Sequence, residues 1–286
     1  MLLTNPWPVI IKEISEIPEH FKESFKAISE EFGEGKEFDD FPYCIYLEKS
    51  KWGEIIENEK MICDFEDKII IMENIDGEVK SLIFLHSNIN YINNGRILLY
   101  SWIQINGVID GNLETCIFIF NTTSENKFIK LITDIRKRMN GIFDEEISSN
   151  PEFEFLYPDN LKFLNYSNRS VIEGEKVLFT IFQESMYTKY FMMFDKKNAP
   201  NHILILCDKE LIIISETMTK NTDMDDYSGV WAYISLKKIT NVGLSENEIG
   251  QFVLNITLEG NDIISSTYQK SKKEELEALT DQLKHK

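Results

Sequence analysis

Along most of this chain apolar residues come in short runs or alternate with polar ones, and at two places the spacing lengthens to a helical period. Between residues 44 and 121, runs rich in Ile, Phe, Tyr and Val are divided at 74–77, 93–95 and 110–112 by clusters of Asn, Asp and Gly. These residue types tolerate positive φ, so the pattern predicts antiparallel strands joined by tight turns. The period then changes. Phe128, Ile129, Ile132, Ile135 and Met139 share one helical face, which predicts a helix over 124–140 with Ser124 as N-cap and Gly141 just past its end. From residue 173 the strand pattern returns and lasts to Lys270. Leu276, Leu279 and Leu283 then mark a second closing helix over 270–285, capped near Ser271. Its last residues, Lys284, His285 and Lys286, suit the negative end of the helix dipole.

The two stretches read as copies of one plan. Glu59-Lys60-Met61 is matched to Glu175-Lys176-Val177, and the run from Lys68 to Met72 to that from Tyr190 to Phe194. The pair 82–85 and 91–92 is matched to 203–206 and 212–213, the run 102–105 to 233–236, and 116–120 to 254–258. So long a period means duplicated domains rather than a solenoid, whose repeats are about 20–50 residues. The organisation predicted is an N-terminal helical extension (1–43), a first domain (44–140), a packed connector (141–172) and a second domain (173–286). In the extension, Pro18 opens a helix that places Phe21, Phe25, Ile28 and Phe32 on one face, and Gly33 and Gly35 end it. The connector carries Pro151, Pro158 and the aromatics Phe143, Phe153, Phe155, Tyr157, Phe163 and Tyr166. A free linker would not hold so many aromatics, so the segment is expected to pack.

Short antiparallel strands followed by one amphipathic helix describe a small β-barrel plugged at one end. The fold class expected is mainly β with α: two barrels, each capped by its C-terminal helix, after a helical extension. The run from His202 to Ile214, with Cys207-Asp208-Lys209 at its turn, resembles the second and third strands of bacterial pleckstrin-homology-like and GRAM-like domains. There the turn is of the type Thr-Asp-Lys/Arg-x-Leu, and Cys207 replaces the Thr. The run from Trp231 to Ile239 is similar to that family's next strand, and the first copy is the weaker match, with Ser87-Asn88 as its turn. The resemblance covers roughly 59–140 and 173–285 and implies fold more than function. It implies a tandem binding or scaffolding protein, because such domains commonly recognise peptides at a sheet edge or beside the closing helix.

Charge narrows the partners. The chain has 286 residues, a formal net charge of -18 and only four arginines, Arg96, Arg136, Arg138 and Arg169. That balance repels phosphate backbones and anionic lipids, so nucleic acid is not an expected partner. In lipid-binding members of the resembled family, lysines and arginines surround the first hairpin loop. The equivalent loop in the second copy is expected at 195–201 and holds Lys196 and Lys197, while 73–78 in the first copy is acidic. Lys196 and Lys197 are therefore the candidate headgroup ligands of an alternative, peripheral-membrane reading. The basic stretch Arg136-Lys137-Arg138 is read as dipole compensation at a helix end.

Candidate chemistry is sparse. His20, His86, His202 and His285 have no ligand-spaced neighbours, and no nucleotide-binding, hydrolase or zinc-protease motif occurs. Residues 221–226 alternate oxygen ligands as a calcium loop does but lack its Gly and its closing Glu, and are read as a solvated loop. Cys44, Cys63, Cys116 and Cys207 are widely spaced and read as buried thiols rather than disulfides or zinc ligands. No basic start with a long apolar region, and no membrane-length apolar run, is present. The expectation is a non-enzymatic cytoplasmic protein without cofactor or metal that acts through protein or peptide partners.

Overall fold

The structure, a computed structural model, describes residues 7–31, 41–52, 55–142, 153–190, 194–217 and 228–284. Among these the protein is mainly β, with four α-helices. The first half opens with β1 (Val9–Ile11) and α1 (Glu19–Glu31). Strand β2 (Tyr43–Leu47), a small hairpin of β3 (Ser50–Trp52) and β4 (Ile55–Glu57), then β5 (Glu59–Asp64), β6 (Lys68–Ile75) and β7 (Glu78–Leu85) follow. A 3-10 turn at His86–Asn88 leads to β8 (Ile89–Ile97), β9 (Tyr100–Ile109), β10 (Asn112–Asn121) and the closing helix α2 (Glu125–Asn140).

The second half has the same order. Helix α3 (Leu161–Ser170) precedes β11 (Val177–Gln183), a hairpin of β12 (Met186–Tyr190) and β13 (Phe194–Ala199), then β14 (His202–Cys207), β15 (Glu210–Ser215) and β16 (Ser228–Ser235). After a 3-10 turn at Leu236–Lys238 come β17 (Ile239–Glu246), β18 (Phe252–Leu258), β19 (Ile263–Tyr268) and α4 (Lys273–Lys284). One backbone bond recurs at the matching place. His86 N–H donates to the Asp67 carbonyl, and Leu236 N–H donates to the Lys209 carbonyl, both at 3.1 Å.

This order corrects the landmark pairing read from the sequence. Each half inserts a hairpin between its first and second long strands, and the match is displaced by two strands at β7, β8 and β9 and by one at β10. The run from Lys68 begins β6, whose counterpart is β15; Trp102 lies in β9, whose counterpart is β18; Cys116 lies in β10, whose counterpart is β19. The extension and the connector are also counterparts. Each places a helix, after Pro18 or Pro158, ahead of the first long strand.

The helices lie where their faces predict. In α1, Phe21 and Phe25 are buried against Cys44, Met61, Cys63, Ile70 and Met72. In α2, Phe128, Ile132, Ile135 and Met139 are buried but Ile129 is exposed. Gly141 takes φ 70° and its N–H donates to the Arg138 carbonyl, a left-handed C-cap. Ser124 stands at the N-cap position without bonding through its side chain; Asn121 caps the preceding turn instead, accepting from Thr123 N–H. In the described part of the connector Phe153, Leu156 and Phe163 are buried, and Phe155 and Tyr157 are exposed. Phe32, Gly33, Gly35, Phe143, Pro151, His285 and Lys286 lie outside the described residues.

Two predicted turns hold. Asp76-Gly77 and Asp110-Gly111 take positive φ at both residues and close two-residue hairpins. The third does not. Residues 93–95 run through the middle of β8, and the chain reverses at Leu98-Leu99. Gly95 pairs with Trp102 on β9, whose indole lies so close over it that any Cβ would collide with the ring. The glycine serves close packing here, not reversal.

The sheets are open, not closed barrels. One has the order β1-β2-β5-β6-β7, and another β10-β9-β8-β16-β15-β14-β11. A third has the order β17-β18-β19. The seven-stranded sheet crosses between halves because β16 pairs antiparallel with β8, from Ser228 opposite Ile97 to Ile234 opposite Tyr91. Its edge hydrogen bonds satisfy the other half rather than closing a barrel. The core follows suit. One cluster joins Phe118, Phe120 and Phe128 of the first half to Ile203, Ile205, Ile212, Trp231 and Tyr233 of the second. A second cluster, under α4, belongs to the second half but admits Tyr91 from β8. Strands β14 and β15 are buried on both faces, which explains their unbroken apolar runs.

Candidate functional site: the junction and an open edge

The lysine pair singled out in the sequence does not sit on a loop. Residues 194–199 are strand β13, paired with β12. The Lys197 ammonium lies 3.6 Å from a Glu216 carboxylate that also takes Lys162 at 3.1 Å and Asn201 at 2.9 Å. Lys197 thus shares a carboxylate inside the protein. The side chain of Lys196 lies outside the described part of the structure, as does the loop at 221–226.

Buried charge gathers instead where the halves meet. Arg136 of α2 donates through Nε to Glu210 of β15 at 3.2 Å, through Nη2 to the other oxygen of that carboxylate, and to the Ser170 carbonyl at 2.6 Å. Its guanidinium lies 3.7 Å from the centre of the Tyr233 ring. Asn140 adds a bond to Glu210 at 3.3 Å. Glu175, 1% exposed, faces Glu210, which is fully buried. Burial, then the charge of Glu210 and a bond to it, push the Glu175 carboxyl up to about 10, so it is neutral at pH 7 and shares its proton with Glu210. Paired carboxyls can perform acid–base chemistry, but this pair is sealed among the two halves' own side chains. Both carboxyls belong to the second half; the link between halves is Arg136, which reaches Glu210 from α2.

The remaining basic residues near the junction are engaged similarly. Arg138 donates to Asp64 at 2.7 Å and to the Phe65 carbonyl at 2.6 Å, and His86 meets the same Asp64 oxygen at 3.0 Å. The stretch 136–138 therefore does more than balance a helix dipole: two arginines reach turns in opposite halves. Arg96 of β8 lies about equally over Tyr166 of α3 and Trp231 of β16, at 5.1 and 5.2 Å, and pairs with Glu125 at 3.3 Å. Sequence spacing could not find these contacts, because the partners are 22 to 135 residues apart. His202 is held neutral by burial and bonds the Pro200 carbonyl through Nδ1 at 2.9 Å.

The two closing helices differ in what they touch. Helix α2 lies against the 3-10 turn at His86–Asn88 of its own half and also reaches β16 of the other, whereas α4 lies against its own β17 and β11. The edge of β8 is thereby occupied from within the chain. Its inserted strand, β16, has its counterpart in β7, and β7 is the outer strand of its sheet. Strand β16 is buried along nearly its whole length; in β7 only Phe84 is buried, while Val79, Leu82 and Ile83 are half-buried against the protein's own core and Leu85 is 42% exposed. Among the described residues no strand pairs with its outer edge.

Among the described residues no group of three or more His, Cys, Asp and Glu could hold a metal ion, and no helix is long and apolar enough to cross a membrane. No family model matches this chain, and no curated protein matches it either.

Proposed function

We propose that this is a non-enzymatic, cytoplasmic protein built of two pleckstrin-homology-like halves that acts through protein–protein contacts, with β7 as its docking edge. The support for the fold assignment is the order of elements in each half: four long strands, a 3-10 turn, three strands and a closing helix. The support for the contact mode is one observation. The strand type that β7 represents is used elsewhere in the same chain, as β16, to join another sheet edge. An eight-residue edge with apolar side chains is a template for an extended partner segment. Lys80, midway along it, is the kind of charge that keeps such an edge from indiscriminate pairing.

The test is selection of peptides on the purified chain followed by hydrogen exchange. Binding should slow amide exchange across 78–85 and be lost in a variant that blocks this edge, such as Leu82→Lys with Leu85→Lys. Peptides that protect a different surface, or flotation of the chain with anionic liposomes in place of peptide binding, would overturn the reading.

A further inference from the structure

Cys44 and Cys63 stand directly opposite each other across the antiparallel pair β2–β5. Both are free thiols, fully buried, and in hydrogen-bond contact with each other. Directly opposed residues in such a pair have Cα atoms about 4.5–5.5 Å apart, within the roughly 4.4–6.8 Å that a disulfide spans. The other cysteines are placed differently: Cys116 lies opposite Ile105 and Cys207 opposite Val177.

The pair has a cover. Phe21 and Phe25 of α1 lie over the sheet face formed by Cys44, Cys63, Met61, Ile70 and Met72. Burial, reinforced by the neighbouring thiol and by Asp64, holds the Cys63 thiol protonated. While α1 is docked, the pair is unreactive. One polar contact on the same helix, His20 to Glu59 at 3.0 Å, adds to the docking.

We propose that Cys44 and Cys63 are a reversible dithiol–disulfide couple, oxidised by hydroperoxides when α1 lifts from the sheet. One thiol loses its proton to solvent, and the thiolate attacks a peroxide oxygen. The O–O bond breaks, the leaving oxygen takes up a proton to depart as water or an alcohol, and the sulfur becomes a sulfenic acid. The second thiol, deprotonated in turn, attacks that sulfur; the S–S bond forms, the S–O bond breaks and water leaves. Two electrons pass from the two sulfurs to the peroxide. A dithiol reductant restores both thiols by exchange. The product is a covalent staple between β2 and β5 in place of two packed thiols.

The experiment treats the full chain with hydrogen peroxide and follows intact mass, peptide linkage and alkylation of remaining thiols. The expected result is a loss of two mass units, a linked pair of peptides containing Cys44 and Cys63, and reversal by dithiothreitol. Phe25→Ala, checked as folded by circular dichroism, should oxidise at least several-fold faster, and Cys63→Ser should show no such mass loss. The proposal is overturned by linkage of a different pair, by equal rates in Phe25→Ala and the parent, or by two thiols in Phe25→Ala that alkylate but do not join. Unreactive thiols in both proteins overturn it as well.

Discussion

Arg136 and Glu210 form a buried ion pair across the junction, one from the helix that closes the first half and the other from the third long strand of the second. Both side chains are buried, so partners within the protein supply their hydrogen bonds. Arg136 has Glu210 and the Ser170 carbonyl; Glu210 has Arg136, Asn140 and the proton of Glu175. The pair sits close to the β8–β16 ladder, so the halves are joined there both by backbone pairing and by a buried ion pair.

Removing one member should cost far more than removing both. Arg136→Met leaves Glu210 buried without its cation, a change that typically destabilises by about 3–5 kcal/mol. Arg136→Met combined with Glu210→Leu replaces the ions by apolar groups of similar size and should recover most of that loss. Urea denaturation of the two single variants and the double measures the coupling. A double variant no more stable than Arg136→Met alone would show that the pair is not the element holding the junction.

The neighbouring Glu175 gives the junction a pH signature. Its carboxyl ionises near 4.5 in the unfolded chain but near 10 when folded. Between those values the folded state binds a proton that the unfolded state has lost, so this group's contribution to stability falls as pH rises. The limiting slope is on the order of 1 kcal/mol per pH unit. Glu175→Gln keeps a donor toward Glu210 and removes the titration. The variant should match the parent near pH 5 and exceed it in melting temperature increasingly toward pH 9. A gap that stays constant or narrows with pH would contradict the proton-sharing geometry.

Helix faces provide a simpler test. Ile132 and Leu279 are 5% and 0% exposed, whereas Lys130 and Glu277 point to solvent. Truncation of a packed aliphatic side chain costs about 2–5 kcal/mol, and an exposed ion pair such as Lys130 with Asp134 contributes about 0–1 kcal/mol. Ile132→Ala and Leu279→Ala should each lower the melting temperature clearly, and Lys130→Ala and Glu277→Ala should leave it nearly unchanged. Similar losses in both classes would mean that the helices dock by other faces.

Much of this fold is legible in the sequence because local periodicity and turn chemistry are local facts. The change to a 3.6-residue period at Phe128 and at Leu276, and the Asp-Gly pairs at 76–77 and 110–111, each depend on a few adjacent residues. Strand pairing between halves is not a local fact. The bond row from β16 to β8 runs through backbone groups that every residue type offers, so no side chain announces it. The same reason hides Cys63 opposite Cys44 and Glu210 beneath Arg136. At 93–95 the sequence misleads, since glycine chosen for contact with Trp102 looks like glycine chosen for a turn. Lys196 and Lys197 are candidates by resemblance; Glu216 beside Lys197 is 19 residues further along the chain and could not be read there.

That neighbour bears on the membrane alternative. Each basic residue close to an anionic surface contributes about 1 kcal/mol, and stable attachment takes several together. Lys197 lies 3.6 Å from Glu216 and is only 14% exposed along its side chain. Arg96, Arg136 and Arg138 are engaged with Glu125, Glu210 and Asp64. The formal charge of -18 opposes approach over any distance that salt does not screen, about 8 Å at physiological ionic strength. The chain should therefore not sediment with phosphatidylserine or phosphoinositide vesicles at that salt. Binding that disappears in Lys196→Glu with Lys197→Glu would replace the protein-contact proposal by the membrane one. Binding that survives the double change would place a lipid site elsewhere and leave neither lysine with a role in it.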